Sequence, residues 1–179
     1  FEKISGFNFE VIMTSKNHKS GTDRVAEVVK NIENVDVVVN IQADEPFIDP
    51  ILIDLLVESF KDKNIHMSTL VSTKLSLGDL EDSSIVKAFI SKDMFATDFV
   101  RHCRDRIGGV YKHLGIYAFT KNALLDFVSY EQTPEEKKRS LEQIRALDNN
   151  IPIKSIITDK DVISINTVND YILAKGALK

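Results

Sequence analysis

The sequence of 179 residues is poor in cysteine, tryptophan and basic charge. It contains one cysteine, Cys103, and no tryptophan. A single cysteine excludes an internal disulfide framework and a zinc site built from several thiolates, and it fits a reducing cytosol. The 23 basic residues are outnumbered by 27 acidic ones, for a net charge of -4. This balance argues against a general nucleic-acid or membrane-surface binder, whose binding face would be basic.

Long apolar runs are also absent. No stretch approaches the length of a membrane span, and no signal peptide is visible. Hydrophobic residues still make up 43% of the chain, enough for a buried core. We therefore predict one domain spanning residues 1–179, cytoplasmic, with no membrane or nucleic-acid partner. The sequence begins at Phe1 rather than Met, and its first residues resemble the end of a helix, so we expect a longer parent protein.

Apolar segments alternate with amphipathic segments of helical period, which is typical of an α/β domain with a mainly parallel sheet. Residues 76–84 are predicted to form a loop, and residues 93–110 give no clear pattern. The predicted strands are 9–14, 35–41, 66–71, 85–90, 111–119, 152–157 and 162–165. The predicted helices are 22–32, 50–62, 121–128, 134–147 and 167–178.

One predicted strand ends in polar and acidic residues. The apolar run 35–41 is followed by Gln42, Asp44 and Glu45. Ligands of α/β sheets bind outside the carboxyl ends of strands, so Asp44 is a candidate for holding a divalent cation on a nucleotide phosphate. The alternative is a strand-end turn with solvated acids and a helix cap, and spacing alone favours that alternative.

A second candidate is the turn before the first predicted helix. The segment SGTDR, from Ser20 to Arg24, places small residues at a helix N-terminus. The backbone N–H groups there can bind a phosphate or hydrogen-bond a base. Such a turn alone is weak evidence, because most of them only cap a helix.

Taken together, four segments carry a resemblance to a known family. They are SGTDR with the following VVVNIQADEPFI, then VKAF (86–89), YKHLGIYAF (111–119) and LEQIRAL (141–147). In this order they resemble the cytidylyltransferases that activate 3-deoxy-manno-octulosonate (Kdo). No single segment is specific, but the series is.

The resemblance implies an activity and a fold. CTP and Kdo would give CMP-Kdo and pyrophosphate for lipopolysaccharide biosynthesis, with Mg²⁺ as cofactor and catalysis mostly by positioning. The fold would be a nucleotide-diphospho-sugar-transferase-like, Rossmann-like mixed sheet flanked by helices. A small antiparallel lobe at about 85–119 would help to form a homodimer.

The resemblance also implies roles for particular residues. Asp44 and Arg101 would be catalytic, and Asp44 and Asn166 would occupy the two metal-ligand positions. His113 and Tyr117 are also explained as core residues of a strand. The nucleotide side would comprise Ser20, Gly21, Thr22, Arg24 and Gln42, and the sugar side His113, Tyr117, Glu142 and Gln143.

Three departures from the family pattern limit these expectations. The family's N-terminal phosphate-wrapping loop has no counterpart, so we expect a fragment or a truncated copy. Asn166 stands where the family has an aspartate, which removes a negative charge from the metal site. The region around Arg101 is altered, and Arg139 replaces a glutamate.

These departures leave two alternatives and one expectation. Beside the leading prediction of cytidylyl transfer to Kdo, the alternatives are an inactive relative that only binds nucleotide or dimerises, and a cytidylyltransferase for another acid sugar such as a sialate. We expect this chain to turn over poorly or not at all.

Overall fold

A six-stranded mixed sheet flanked by helices forms the framework of the computed structural model. The structure describes residues 9–103, 108–162, 164–165 and 168–177. The strands are β1 (Val37–Asn40), β2 (Met67–Ser72), β3 (Lys87–Ile90), β4 (Ala96–Val100), β5 (Val110–Thr120) and β6 (Lys154–Thr158). The helices are α1 (Gly21–Lys30), α2 (Pro50–Ser59), α3 (Leu77–Glu81), α4 (Lys121–Ser129), α5 (Pro134–Arg139), α6 (Ile144–Asp148) and α7 (Val168–Ala177).

The central strand is β5, and it runs against its neighbours. The sheet order is β4-β3-β5-β2-β6, with β1 also paired to β5. β5 is antiparallel to β1, β2 and β3, and β3 is antiparallel to β4. Among the described strands only β2 and β6 pair in parallel. The mixed sheet is therefore confirmed, whereas the expectation of a mainly parallel sheet was wrong.

Strand directions bring the C-terminal ends of several strands to the same end of the sheet. Because β1 and β2 both oppose β5, and β6 is parallel to β2, these three strands end at the edge where β5 begins. On one side of β5, β1 pairs with residues 117–120 and β3 with residues 110–112. Residues 114–116 of β5 lie between these partners. Gly115, at φ +70°, lies in an irregularity of the β2–β5 register.

Apolar side chains fill both faces of the sheet, as the alternation along β5 requires. Tyr117 and Phe119 belong to one buried cluster, with Phe99, Phe127 and Met67. Ile116 and Ala118 point to the other face and pack with the residues of α2 and β2. The hydrophobic effect of these two clusters fixes the register of β5.

Local sequence explains where most helices begin. Asp49 caps α2 with Pro50 in the first turn, as predicted. Ser20 caps α1 by accepting the Asp23 N–H at 3.1 Å. Thr133 and Glu136 form a reciprocal capping box at the start of α5.

The predicted long helix 134–147 is interrupted. Ser140 adopts a left-handed conformation (φ 53°, ψ 47°) and ends α5, and α6 begins only at Ile144. Arg101 donates hydrogen bonds to the carbonyls of Arg139 and Ser140, so a tertiary contact satisfies backbone groups that a continuous helix would pair internally.

Other predicted elements also differ from the structure. Residues 9–14 form no strand, and neither do the described members of 162–165. A short helix, α3, lies within the predicted loop 76–84, where Ser76 and Asp79 form a capping box. Strand β4 lies in the region that gave no clear pattern. Among the described residues, no helix has the length and apolar character needed to cross a membrane.

Candidate active site

A cleft of about 590 Å³ opens at the edge where β1 ends and β5 begins. Its lining includes Gln42 and Asp44 after β1, and Asp82 before β3. Its β5 side includes His113 and Gly115, next to the stretch of β5 between its partners β1 and β3. Three residues predicted from the sequence, Gln42, Asp44 and His113, therefore share one cavity.

The acidic loop after β1 is fastened to the segment before α7. The Asp44 carbonyl accepts the Ile165 N–H at 2.8 Å, and the Glu45 Oε1 atom accepts the Ser164 hydroxyl. Within the described chain, no hydrogen bond or ion pair engages the Asp44 carboxylate. Its oxygens are thus available for a ligand.

Glu45 is the buried member of this acidic pair. Its Oε2 atom has no partner among the described residues. Burial raises the pKa of Glu45, and the neighbouring Asp44 charge adds to that increase, against the opposing Ser164 hydrogen bond.

Among the described residues that line the cleft, acidic side chains outnumber basic ones. The acids are Asp44, Glu45, Asp82 and Asp170, and Lys112 is the one lysine in this described lining. The Lys112 Nζ atom lies 2.7 Å from Asp161 Oδ1, so part of its charge is already compensated. Because the cleft is acidic, it would bind an anionic ligand more tightly when that ligand is complexed with a cation.

The turn before α1 contacts both the cleft and the predicted sugar side. A Cβ atom on Gly21 would lie 3.2 Å from the Gln42 amide, so the glycine allows this close approach. The Ser20 hydroxyl donates to Glu142 Oε1 at 2.7 Å. Thr22 is buried, and its hydroxyl oxygen accepts a hydrogen bond from Asn40 Nδ2 at 3.0 Å. Its side chain therefore ties the turn to the end of β1.

His113 and Tyr117 are buried on one face of the sheet, and the half-buried Glu142 lies near Tyr117. The His113 ring packs edge-on against Phe99, with centroids 5.0 Å apart, and lies 5.3 Å from the Tyr117 ring. Burial lowers the pKa of His113 to about 3. Burial also raises the pKa of Tyr117, with a contribution from the Glu142 charge, and raises the pKa of Glu142.

The sequence and the fold match known proteins. The family model "Cytidylyltransferase" matches residues 2–156. A 3-deoxy-manno-octulosonate cytidylyltransferase of Fusobacterium nucleatum is 34% identical, covering 93% of this chain and 71% of that protein. One of Flavobacterium johnsoniae is 36% identical, covering 100% and 77%. The chain belongs to the 3-deoxy-manno-octulosonate cytidylyltransferase family.

A solved structure agrees with this family membership. The structure of CMP:2-keto-3-deoxy-manno-octonic acid synthetase complexed with CTP superposes with a TM-score of 0.89 at 27% identity. The match covers 99% of this chain and 75% of that one. The fold predicted from the family resemblance is thereby confirmed.

Not all residues predicted from the family resemblance lie at the cleft. Arg24 donates to the Thr14 hydroxyl and to the Ser15 carbonyl, the latter at 2.9 Å. Arg101 donates to three backbone carbonyls, including that of Ser83 at 2.9 Å. Gln143 is buried in α6's N-terminal turn. Their roles stay predictions, as does that of Asn166, which lies outside the described residues.

Two lysines that line or support the candidate site were not predicted from the sequence. Lys112 adjoins the predicted residue His113, and that adjacency was the available signal. For Lys87 the sequence offers no such neighbouring signal. The residue is fully buried, and its Nζ atom donates to the carbonyls of Asp82, Ile85 and Arg101 at 2.6–2.8 Å. It thereby holds the segment that forms one wall of the cleft.

The depressed pKa of His113 predicts a pH-dependent stability. The unfolded chain gains a proton on His113 below about pH 6.5, whereas the folded chain gains it only near pH 3. The free energy of unfolding should therefore fall by about 2 kcal/mol for this group between about pH 7.5 and about pH 5. Glu45 and Glu142, whose pKa values are raised, act with the opposite sign.

Comparison with a His113→Gln variant isolates the histidine, because the carboxyl groups are common to both proteins. Urea unfolding at the two pH values should show the larger loss in the wild-type protein. Equal pH dependence of the two proteins would contradict the buried, neutral histidine.

Proposed function

We propose that the chain transfers a cytidylyl group from CTP to Kdo or a closely related acid sugar, releasing pyrophosphate. The observation that carries the proposal is the convergence of Gln42, Asp44 and His113 on one cleft in a chain of this family. The superposition on a synthetase complexed with CTP supports the same nucleotide.

The reaction joins the anomeric oxygen of the sugar to the α-phosphorus of CTP. The bond from that phosphorus to the pyrophosphate oxygen breaks, and the hydroxyl proton passes to solvent. The chain's main contribution is to hold the two reactants in line. The turn at Ser20 and Gly21 offers the N-terminus of α1, and the Gln42 side chain beside it can orient the base.

Magnesium fits the donor set of this cleft and belongs to the proposal. No group of three or more histidine, cysteine or acidic side chains suited to a metal occurs in the described part. Mg²⁺ commonly takes one or two carboxylates and fills its shell with phosphate oxygens and water. Asp44 would supply one carboxylate, and the position of Asn166 a second oxygen. When bound, the ion would neutralise charge on the phosphates.

Assembly and cellular role extend the same proposal. A homodimer formed through the predicted lobe at 85–119 rests on the family resemblance, because the outer edge of β4 is already engaged within the chain. The Ala96 N–H donates to the Ile153 carbonyl, and Arg139 donates to the Phe99 carbonyl. We place the activity in the cytoplasm and in lipopolysaccharide biosynthesis, on the strength of the family and the predicted substrate.

Pyrophosphate release from CTP and Kdo, with and without magnesium, tests the proposal. We expect slow release that requires both substrates. Sialate in place of Kdo and UTP in place of CTP serve as comparison reactions. Release with sialate alone would move the substrate to another acid sugar. Binding of CTP by calorimetry without any release would identify an inactive relative, the alternative that Asn166 favours.

Gly21→Ala is expected to weaken CTP binding without unfolding the protein. The added methyl would lie 3.2 Å from the Gln42 amide, which must move by a few tenths of an ångström. Because only a flexible side-chain end is displaced, the free energy of unfolding should change by less than about 1 kcal/mol. The KM for CTP should rise by about tenfold, as expected for loss of an orienting contact of about 1.4 kcal/mol.

Gly78→Ala is the matched control, because Gly78 also lies in the first turn of a serine-capped helix. Its nearest neighbour would be Ser76 Oγ at an ordinary 3.7 Å. Equal KM values for the two variants would contradict a role for the Gly21–Gln42 approach.

A further inference from the structure

Thr69 is a fully buried polar residue on β2 that contacts the cleft histidine. It pairs with Tyr117 across the β2–β5 ladder, and its side chain is on the same face as the His113 ring. Its Oγ1 atom lies 2.8 Å from the Ile116 carbonyl oxygen and 2.9 Å from His113 Nε2. Both distances are those of good hydrogen bonds.

The irregular pairing of β5 explains why the Ile116 carbonyl can receive this hydroxyl. The β2–β5 register shifts between Thr69 and Val71, which pair with Tyr117 and His113. Two residues of β2 thus span four of β5, with Gly115 at positive φ inside the shifted segment. The extra residues of such a bulge leave backbone groups outside the ladder. The Thr69 side chain satisfies one of these groups.

The hydroxyl has one proton to give, and this fixes the direction of both hydrogen bonds. A carbonyl oxygen can only accept, so the Thr69 proton points at Ile116. If the proton pointed at His113 instead, two oxygen lone pairs would face each other at 2.8 Å with no hydrogen between them. Nε2 of His113 must therefore carry its own proton and donate it to Thr69.

We propose that Thr69 is a positioning residue that holds His113 as its Nε2–H tautomer, so that Nδ1 offers a hydrogen-bond acceptor to the substrate. In a neutral imidazole the second nitrogen has no proton. No described residue donates a hydrogen bond to Nδ1, and His113 is part of the cleft lining.

The tautomer decides which group of the substrate His113 can hold. An acceptor nitrogen binds a hydroxyl or N–H donor and repels a carboxylate. Burial, which lowers the pKa of His113 to about 3, keeps the ring from becoming a donor at both nitrogens near neutral pH. This part rests on the proposed function: His113 then holds a hydroxyl of the acid sugar and not its carboxylate.

Long-range ¹H–¹⁵N correlation spectra of histidine-labelled protein test the tautomer directly. The chain has four histidines, and His113→Gln identifies the signal. The wild-type protein at neutral pH should show a neutral His113 protonated at Nε2. Thr69→Ser keeps the hydroxyl and should keep this pattern. Thr69→Val, nearly the same shape, should shift it towards Nδ1–H.

Ser68→Ala provides the matched control for loss of a buried hydroxyl on the same strand. Ser68 is fully buried, and its hydroxyl has no partner among the described residues. This variant should leave the His113 signal unchanged. An Nδ1–H or doubly protonated His113 in the wild-type protein would overturn the proposal, as would an unchanged signal in folded Thr69→Val.

Kinetics then separate the positioning role from the function itself. Thr69→Val should raise the KM for the sugar by about tenfold and leave the KM for CTP unchanged, with Thr69→Ser restoring the sugar KM. An altered tautomer with an unchanged sugar KM would overturn the substrate assignment. Correct spectra in a protein that releases no pyrophosphate would instead count against the proposed function and leave the Thr69–His113 geometry standing.

Discussion

Asp44→Asn is expected to lower kcat/KM for pyrophosphate release by about 10²–10³-fold without unfolding the protein. The amide keeps the shape of the side chain and one acceptor oxygen, but it loses the charge that a hard cation prefers. On the proposed role of magnesium, the concentration of the ion needed for half-maximal rate should also rise.

Stability should not fall with this substitution, because Asp44 repels its buried neighbour. The Asp44 charge helps to raise the pKa of Glu45, second to burial among the causes that raise it. Removing the charge lets Glu45 ionise more readily and relieves that repulsion. The Asp44 carbonyl that accepts the Ile165 N–H is unaffected by a side-chain change.

Asp36→Asn is the matched control, since Asp36 is an exposed acid immediately before the start of β1, whereas Asp44 follows the end of that strand. Steady-state rates of both variants at saturating magnesium, with thermal unfolding as a check, decide the matter. If Asp44→Asn kept its kcat/KM within about twofold of the Asp36→Asn value, Asp44 would have no part in the reaction.

The position of the candidate site in the fold could be predicted from the sequence even though the predicted strand directions were wrong. A mainly parallel sheet was expected, yet β5 runs against its neighbours. The expectation that ligands bind beyond the C-terminal ends of strands still placed Asp44 at the cleft, because it requires only that β1, β2 and β6 run in the same direction. The start of α2 at Asp49 was predicted because capping is a local interaction, whereas α1 is capped by Ser20 and begins one residue before its predicted start.

Features set by long-range contacts could not be predicted. Nothing near Ser140 signals that Arg101, far away in the chain, binds the carbonyls at the end of α5. Thr69 looks like any strand threonine until the shifted register brings Ile116 and His113 to its hydroxyl. Arg24 and Arg101 were assigned to the site by resemblance, but the family pattern does not specify which carbonyls a guanidinium meets in this chain.

The same limit applies to Arg145, a second deeply buried charge, whose removal is the second substitution with a large expected effect. Arg145 is 1% exposed. Its guanidinium donates to both carboxylate oxygens of Glu136, at 2.9 and 2.7 Å, and stacks over the Phe127 ring at 4.8 Å. Arg145→Met should destabilise the fold by about 3–5 kcal/mol, because it leaves the buried Glu136 carboxylate without its cation.

Urea unfolding of three variants separates this cause from a general loss of packing. Arg139→Met removes a half-exposed arginine whose ion pairs with Asp98 and Glu135 lie at 2.6 and 3.0 Å, and it should cost about 1 kcal/mol or less. Adding Glu136→Gln to Arg145→Met should recover part of the loss, since the amide keeps an oxygen for the Thr133 N–H and carries no charge. Equal costs for Arg145→Met and Arg139→Met would show that the buried pair contributes no more than a surface one. A double variant no more stable than Arg145→Met alone would assign the loss to the Phe127 contact or to the Asp23 ion pair at 3.4 Å instead.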